Sequence, residues 1–176
     1  MNAKDIAAKY KMLSPDEVDL IKQCAGDIPK NAVAVNIGLN VGTSLISILE
    51  ACPGATVVNV DKKPCKEAFD NLELCGITAA RVSLLQGDSN KIDFSGIKKT
   101  HLVFVDGGHD DETLKSDIAN FIDKVPAGGY MLFHDYNHPI YATKPNVNLD
   151  AIVNEAMNGW EKAGQARYLV AFKRVK

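Results

Sequence analysis

The sequence holds no apolar run approaching the ~20 residues needed to cross a bilayer. Its opening stretch, residues 1–10, is too polar and charged for a secretory signal. Basic residues are not in excess: the net charge is −2 at pH 7, without the basic stripe of a nucleic-acid surface. These absences exclude a membrane span and disfavour nucleic acid as substrate. No Cys-x-x-Cys pair occurs among Cys24, Cys52, Cys65 and Cys75, so no structural zinc is expected. Each cysteine falls in a stretch that reads as helical, where a reduced thiol acts as a small hydrophobe. Reduced thiols imply a reducing, cytoplasmic setting. The chain also lacks repeats, low-complexity tracts and Ser/Gly/Pro linkers, and its 176 residues fit one domain.

What is present is an alternation of short apolar runs with amphipathic segments. Ser14-Pro15-Asp16-Glu17 supplies an N-cap, a first-turn proline and two acids, predicting a helix to about Ala25. Strands are expected over residues 32–37, 55–60, 80–86, 101–105 and 129–133. Helices are expected over 43–51, 66–75, 111–124 and 149–158. Residues 160–165 and 168–175 read as two strands joined by a tight turn. The strands are continuous apolar runs, as expected where both faces are buried. Strands alternating with helices predict a mostly parallel sheet covered on both sides. Ligands of such sheets lie beyond the carboxyl ends of the strands, at the switch point.

After the first strand come Gly38, Asn40, Gly42, Thr43 and Ser44. The two glycines let the backbone turn and approach a ligand, and the next helix offers it free N–H groups. The spacing is not the Gly-x-Gly-x-x-Gly of dinucleotide sites, which argues against a nicotinamide-dependent oxidoreductase. Asp61 ends the second strand, placed to accept from both hydroxyls of a ribose, or to act as a solvated acid or cap. Gly87-Asp88-Ser89 ends the third, where a side chain and backbone could read an adenine edge, or Asp88 could serve only the turn. Asp106-Gly107-Gly108-His109 ends the fourth and His134-Asp135-Tyr136-Asn137-His138 the fifth. Two carboxylates and three of the four histidines thus fall at the ends of two strands expected to be neighbours. Asp106 and Asp135 could share a divalent cation, or one could raise the other's pKa.

Together these stretches resemble the class I S-adenosylmethionine-dependent methyltransferases, within the small-molecule O-methyltransferase-like group that includes macrocin- and catechol-type enzymes. The matching stretches are residues 33–44, 57–61, 86–89, the Val-Phe-Val-Asp-Gly-Gly-His of 103–109, and residues 125–130 running into Phe133-His134-Asp135-Tyr136. They span roughly residues 30 to 137. The resemblance implies a Rossmann-like α/β fold: a mostly parallel seven-stranded sheet with a C-terminal antiparallel hairpin and helices on both faces. It divides one domain into an N-terminal helical segment (1–30), a cofactor-binding core (31–137), and a helix with the closing hairpin (138–176). It implies S-adenosylmethionine as cofactor, held by Asn36, Gly38, Asn40, Gly42, Thr43, Ser44, Asp61, Asp88, Ser89 and Asp106. Two positions depart from the family. Asn36 stands where an acid commonly helps hold the methionine end, and Asn40 replaces the middle glycine of the loop. Asn is the side chain that best tolerates left-handed backbone.

In metal-dependent relatives the resemblance implies a magnesium held at the positions of Asp106, His134 and Asp135, although magnesium prefers oxygen ligands. The expected reaction is methyl transfer to a small-molecule hydroxyl. His109 is the candidate general base, with Asp106 and Asp135 completing the catalytic set. The sequence shows no extension or insertion that would build a substrate lid, which leaves an open site or closure by a partner such as a second copy in a homodimer. The rival reading is a non-catalytic S-adenosylmethionine-binding protein, or a subunit of a complex, for which Asn36 and Asn40 speak.

Overall fold

The computed structural model describes residues 1–144 and 147–176. Seven strands form one sheet: β1 (Val33–Ile37), β2 (Thr56–Asp61), β3 (Val82–Gln86), β4 (Leu102–Val105), β5 (Tyr130–Phe133), β6 (Glu161–Ala166) and β7 (Leu169–Lys173). Their order is β3-β2-β1-β4-β5-β7-β6. The first five run parallel, while β7 pairs antiparallel with both β5 and β6. Among the described residues, seven α-helices accompany the sheet: α1 (Ala3–Tyr10), α2 (Pro15–Asp27), α3 (Thr43–Ala51), α4 (Lys66–Leu74), α5 (Asp111–Phe121), the short α6 (Pro139–Ala142) and α7 (Leu149–Ala156). None of the described helices is long and apolar enough to cross a membrane.

Alternate residues of a strand face opposite sides, so one sheet feeds two cores. Ala34, Leu102, Phe104, Leu132 and Ala171 pack with α1, α2 and α3 on one face. Val35, Ile37, Val103, Val105, Met131 and Phe133 pack with α5 and α7 on the other. Both faces of the central strands are therefore buried, which is why their sequences read as unbroken apolar runs. The order of connection reverses between β1 and β4, and the loops leaving those two strands diverge there. That divergence opens the cleft.

Several local expectations shift. The stretch from residue 80 begins with a 3-10 turn, Ala79–Arg81, held by the Thr78 hydroxyl accepting from the Ala80 N–H, before β3 starts. The helix expected over 111–124 is α-helical only to Phe121 and tightens into 3-10 geometry over Ile122–Lys124. The cysteines are free thiols, but only Cys24 lies inside a helix. Cys52 and Cys75 are C-caps, and Cys65 precedes α4 in a left-handed conformation at φ 49°. Helix α1 falls within the helical segment expected over residues 1–30, where no separate first helix was delimited. Its first turn is closed by a capping box in which Asn2 and Asp5 bond each other's backbone N–H. Ala3, Ile6 and Ala7 are buried, and the Ala3 N–H donates to Glu50 of α3 at 3.0 Å.

Candidate active site

The loop after β1 forms one wall of the cleft. Gly38 and Gly42 both adopt φ 86° and Asn40 φ 45°, so three left-handed residues fold the chain back within five positions. Gly38 also lies flat against the end of β4: a Cβ there would sit 2.0 Å from the Asp106 carbonyl oxygen. Asp61 fixes this loop from β2. Its Oδ2 accepts from the Leu39 and Asn40 N–H groups at 2.9 and 3.0 Å, and its Oδ1 from the Lys63 N–H at 2.8 Å. Burial opposes the charge, but these three N–H groups hold the carboxyl below the usual carboxylate range.

The resulting cleft, about 670 Å³, is lined by Gly38, Asn40, Asp61, Ser89, Gly107 and His109, with Met12 and Cys65 at its sides. It adjoins a smaller hollow of about 170 Å³ that reaches Thr43, Asp106, His134, Asp135 and Tyr141. At the start of α3, the Thr43 hydroxyl is buried with no hydrogen-bond partner among the described residues. A buried, unpaired hydroxyl costs about 1–3 kcal/mol, and a polar ligand in the hollow would relieve that cost.

Three expected cofactor residues have side chains engaged within the fold. Asn36 is completely buried inside β1. Its Oδ1 accepts from the Ser44 hydroxyl at 2.9 Å and its Nδ2 donates to Asn59 at 3.0 Å. Its amide is used within the fold, and the Ser44 hydroxyl is used with it. Asp88 is a turn residue: its Oδ1 accepts from the Asn90 N–H at 3.2 Å and its Oδ2 pairs with Lys62 at 3.4 Å. Ser89 and Gly87 line the cleft beside it.

The opposite wall comes from β4 and β5, which are paired neighbours. Asp106, His134 and Asp135 each bring a donor atom within 4.8 Å of the others'. His134 Nδ1 lies 3.2 Å from Asp106 Oδ1 and 3.5 Å from Asp135 Oδ1. Its Nε2 lies 3.5 Å from Glu17 Oε1. Burial works against the imidazolium, but the carboxylates of Asp106 and Glu17 outweigh it and push His134 up to about 10. His109 Nδ1 lies 2.8 Å from Asp135 Oδ2. That pairing raises the His109 pKa above its ordinary value and, with burial opposing, lowers that of Asp135. Asp135 reaches both histidines from a left-handed backbone, φ 61°, a conformation that Asp tolerates better than most residues.

Glu17 escapes sequence reading. It looks like an ordinary first-turn acid of α2, and it does bond the Ser14 N–H at 2.6 Å. It is nevertheless 1% exposed, and its other oxygen accepts from the Tyr168 N–H of the β6–β7 turn at 3.0 Å. Its one sequence signal is the capping-box spacing, which predicts only the first of these contacts. Tyr141, whose ring lies 5.4 Å from that of His109, gave no signal.

The grouped donors fit a divalent ion, with two carboxylates and an imidazole nitrogen converging. Magnesium, which favours an all-oxygen shell, fits this mixed set less well than a nitrogen-accepting ion does.

A family profile described as a methyltransferase domain matches residues 35–136. No curated protein matches the sequence. Among solved structures, the O-methyltransferase NovP superposes with a TM-score of 0.74 at 19% identity, over 94% of this chain and 82% of that one. The N-methyltransferase NodS from Bradyrhizobium japonicum, in complex with S-adenosyl-L-homocysteine, gives 0.68 at 12% identity, over 92% and 87%. An O-methyltransferase family protein from Burkholderia thailandensis gives 0.62 at 15% identity, and there 90% of this chain spans only 56% of the other. At these identities the superpositions speak for the fold, and the profile speaks for the family. The chain belongs to the methyltransferase-domain family, as a class I S-adenosylmethionine-dependent methyltransferase.

Proposed function

We propose that the enzyme transfers a methyl group to a hydroxyl of a small molecule, with His109 as general base. The observation that carries this reading is the 2.8 Å approach of His109 Nδ1 to Asp135. A carboxylate at Nδ1 keeps the proton on that nitrogen and leaves Nε2 free to accept one. His109 is exposed at the junction of the cleft and the hollow, lining both. A group there can face an acceptor while the loop of residues 38–42 holds the cofactor.

S-adenosylmethionine supplies a methyl group already activated on a sulfonium, so the protein's task is alignment and proton removal. Asp61 has acceptor capacity left at Oδ1 for ribose hydroxyls. Thr43 offers its unpaired hydroxyl to the polar methionine end, and Gly87 and Ser89 face the adenine side. As the acceptor oxygen bonds the methyl carbon, the carbon–sulfonium bond breaks and S-adenosylhomocysteine leaves as a neutral thioether, while the acceptor's proton passes to His109 Nε2 and Asp135 stabilises the imidazolium that results. A divalent ion held by Asp106, His134 and Asp135 would polarise the acceptor oxygen. Met12, Leu13 and Tyr141 give the hollow an apolar and aromatic side suited to a small organic acceptor.

The test is a screen of small hydroxylated compounds for release of S-adenosylhomocysteine, followed by the same assay on His109→Gln. Loss of a positioned base typically costs about a hundredfold to ten-thousandfold in rate. The variant is expected to lose turnover on that scale and to keep its affinity for S-adenosylmethionine. Wild-type turnover in the variant would make His109 a loop residue only.

A further inference from the structure

The Asp106–His134–Asp135 cluster has a fourth member that the proposed reaction does not use. Glu17 comes from α2, on a different part of the fold, and is almost completely buried. A buried carboxylate is costly unless its oxygens are satisfied. Glu17 meets that need with the Ser14 and Tyr168 N–H groups, and it spends the rest of one oxygen on His134 Nε2, 3.5 Å away. The backbone bonds would fix its position without the histidine. Its approach to Nε2 therefore constrains His134 as well as the helix start.

Neutral imidazole carries one N–H and one lone pair, and a partner at one nitrogen decides which nitrogen keeps the proton. A carboxylate at Nε2 keeps the proton there and turns the Nδ1 lone pair toward Asp106 and Asp135. Metal-binding histidines are commonly held in this way, with the second nitrogen donating to a carboxylate. Nδ1 lies 3.2 and 3.5 Å from one oxygen of each aspartate, so all three donors converge on one point. A divalent ion bound there takes the place of the proton that the two aspartates otherwise hold on Nδ1.

We propose that Glu17 is a positioning residue that presents His134 Nδ1 as a nitrogen ligand, and that the site consequently selects a nitrogen-accepting divalent ion such as manganese over magnesium. The inference rests on the same site as the proposed methyl transfer. Its measurement needs neither cofactor nor acceptor, so its failure would leave the His109 assignment standing, and the reverse holds too.

The experiment follows the free Mn²⁺ signal by electron paramagnetic resonance during titration of the whole chain. Manganese is the probe because the four free thiols would capture softer ions such as Zn²⁺ or Co²⁺. Wild-type protein is expected to bind one Mn²⁺, to retain it against a hundredfold excess of Mg²⁺, and to lose it in Asp106→Asn. Glu17→Gln keeps an acceptor for the Tyr168 N–H but no charge at Nε2, and should weaken Mn²⁺ binding by about ten- to a hundredfold. Glu17→Asp should recover part of that loss. His134→Asp gives an all-oxygen set, and Mg²⁺ should then displace Mn²⁺ readily. Circular dichroism and a cooperative thermal transition, measured on each variant, report that it is folded. The proposal is overturned if wild-type protein binds no Mn²⁺ at millimolar concentrations. It is equally overturned if Mg²⁺ competes as well in wild type as in His134→Asp, or if folded Glu17→Gln binds Mn²⁺ like wild type.

Discussion

Asn40 stands between two glycines at φ 86° and itself adopts φ 45°, so the loop keeps its left-handed turn without the family's middle glycine. The sequence anticipated this tolerance, because a short amide side chain can occupy that region where most cannot. Asn40→Gly is accordingly expected to leave thermal stability and cofactor affinity nearly unchanged. Asn40→Val, β-branched at the same φ, should lose about 1–2 kcal/mol of stability in chemical denaturation. Equal effects of the two substitutions would show that the backbone conformation at this position is not what matters. The partners of Asn36 were not legible in the same way, whereas the turn role of Asp88 was one of its two readings. Both lie in stretches that match the family, yet one is consumed by Ser44 and Asn59 and the other by its own turn. For Asn36, side-chain partners drawn from other elements decide the case, and spacing along the chain does not record them.

Among the elements, α3 begins and ends where Gly42 and Cys52-Pro53-Gly54 predict. The sheet elements were legible because their apolar runs are buried on both faces. The bounds of helix α1 were not, because three of its eight residues are charged and only Ala3, Ile6 and Ala7 are buried. Its fit against α3 is a tertiary matter. Helix α5 carries a different surprise: Asp117 is completely buried and neither oxygen has a hydrogen-bond partner among the described residues. Burial pushes its carboxyl up to about 6. A folded-state pKa above the unfolded value means that the protonated form is favoured by folding. This contribution is fully present below about pH 4 and is lost as pH rises through about 6. About two pKa units correspond to about 3 kcal/mol. Asp117→Asn removes the titration while keeping the shape. Its stability relative to wild type, read from urea unfolding at pH 4.5 and pH 7, should therefore improve by about 2 kcal/mol over that interval. A difference between the two proteins that stays constant with pH would contradict the assignment.

Across the whole molecule, the strand order places β1 beside β4 and sends their loops apart, so one end of the sheet gathers every group discussed above. Asp61 and the residue 38–42 loop stand on one side of that opening, and His109, His134 and Asp135 on the other. Sequence alone located these strand ends, because ligand sites of open α/β sheets follow from topology. It did not reveal that Glu17 reaches the same place from the first part of the chain, since only the packing of α2 against the β6–β7 hairpin brings it there. The central claim is that this opening holds S-adenosylmethionine with Asp61 at the ribose. Isothermal titration of wild type and Asp61→Ala with S-adenosylmethionine tests it most directly. The account predicts one site in wild type and at least about tenfold weaker binding in the variant, from the loss of an acceptor worth about 1–3 kcal/mol. No heat of binding in wild type, or equal affinity in a folded variant, would contradict it.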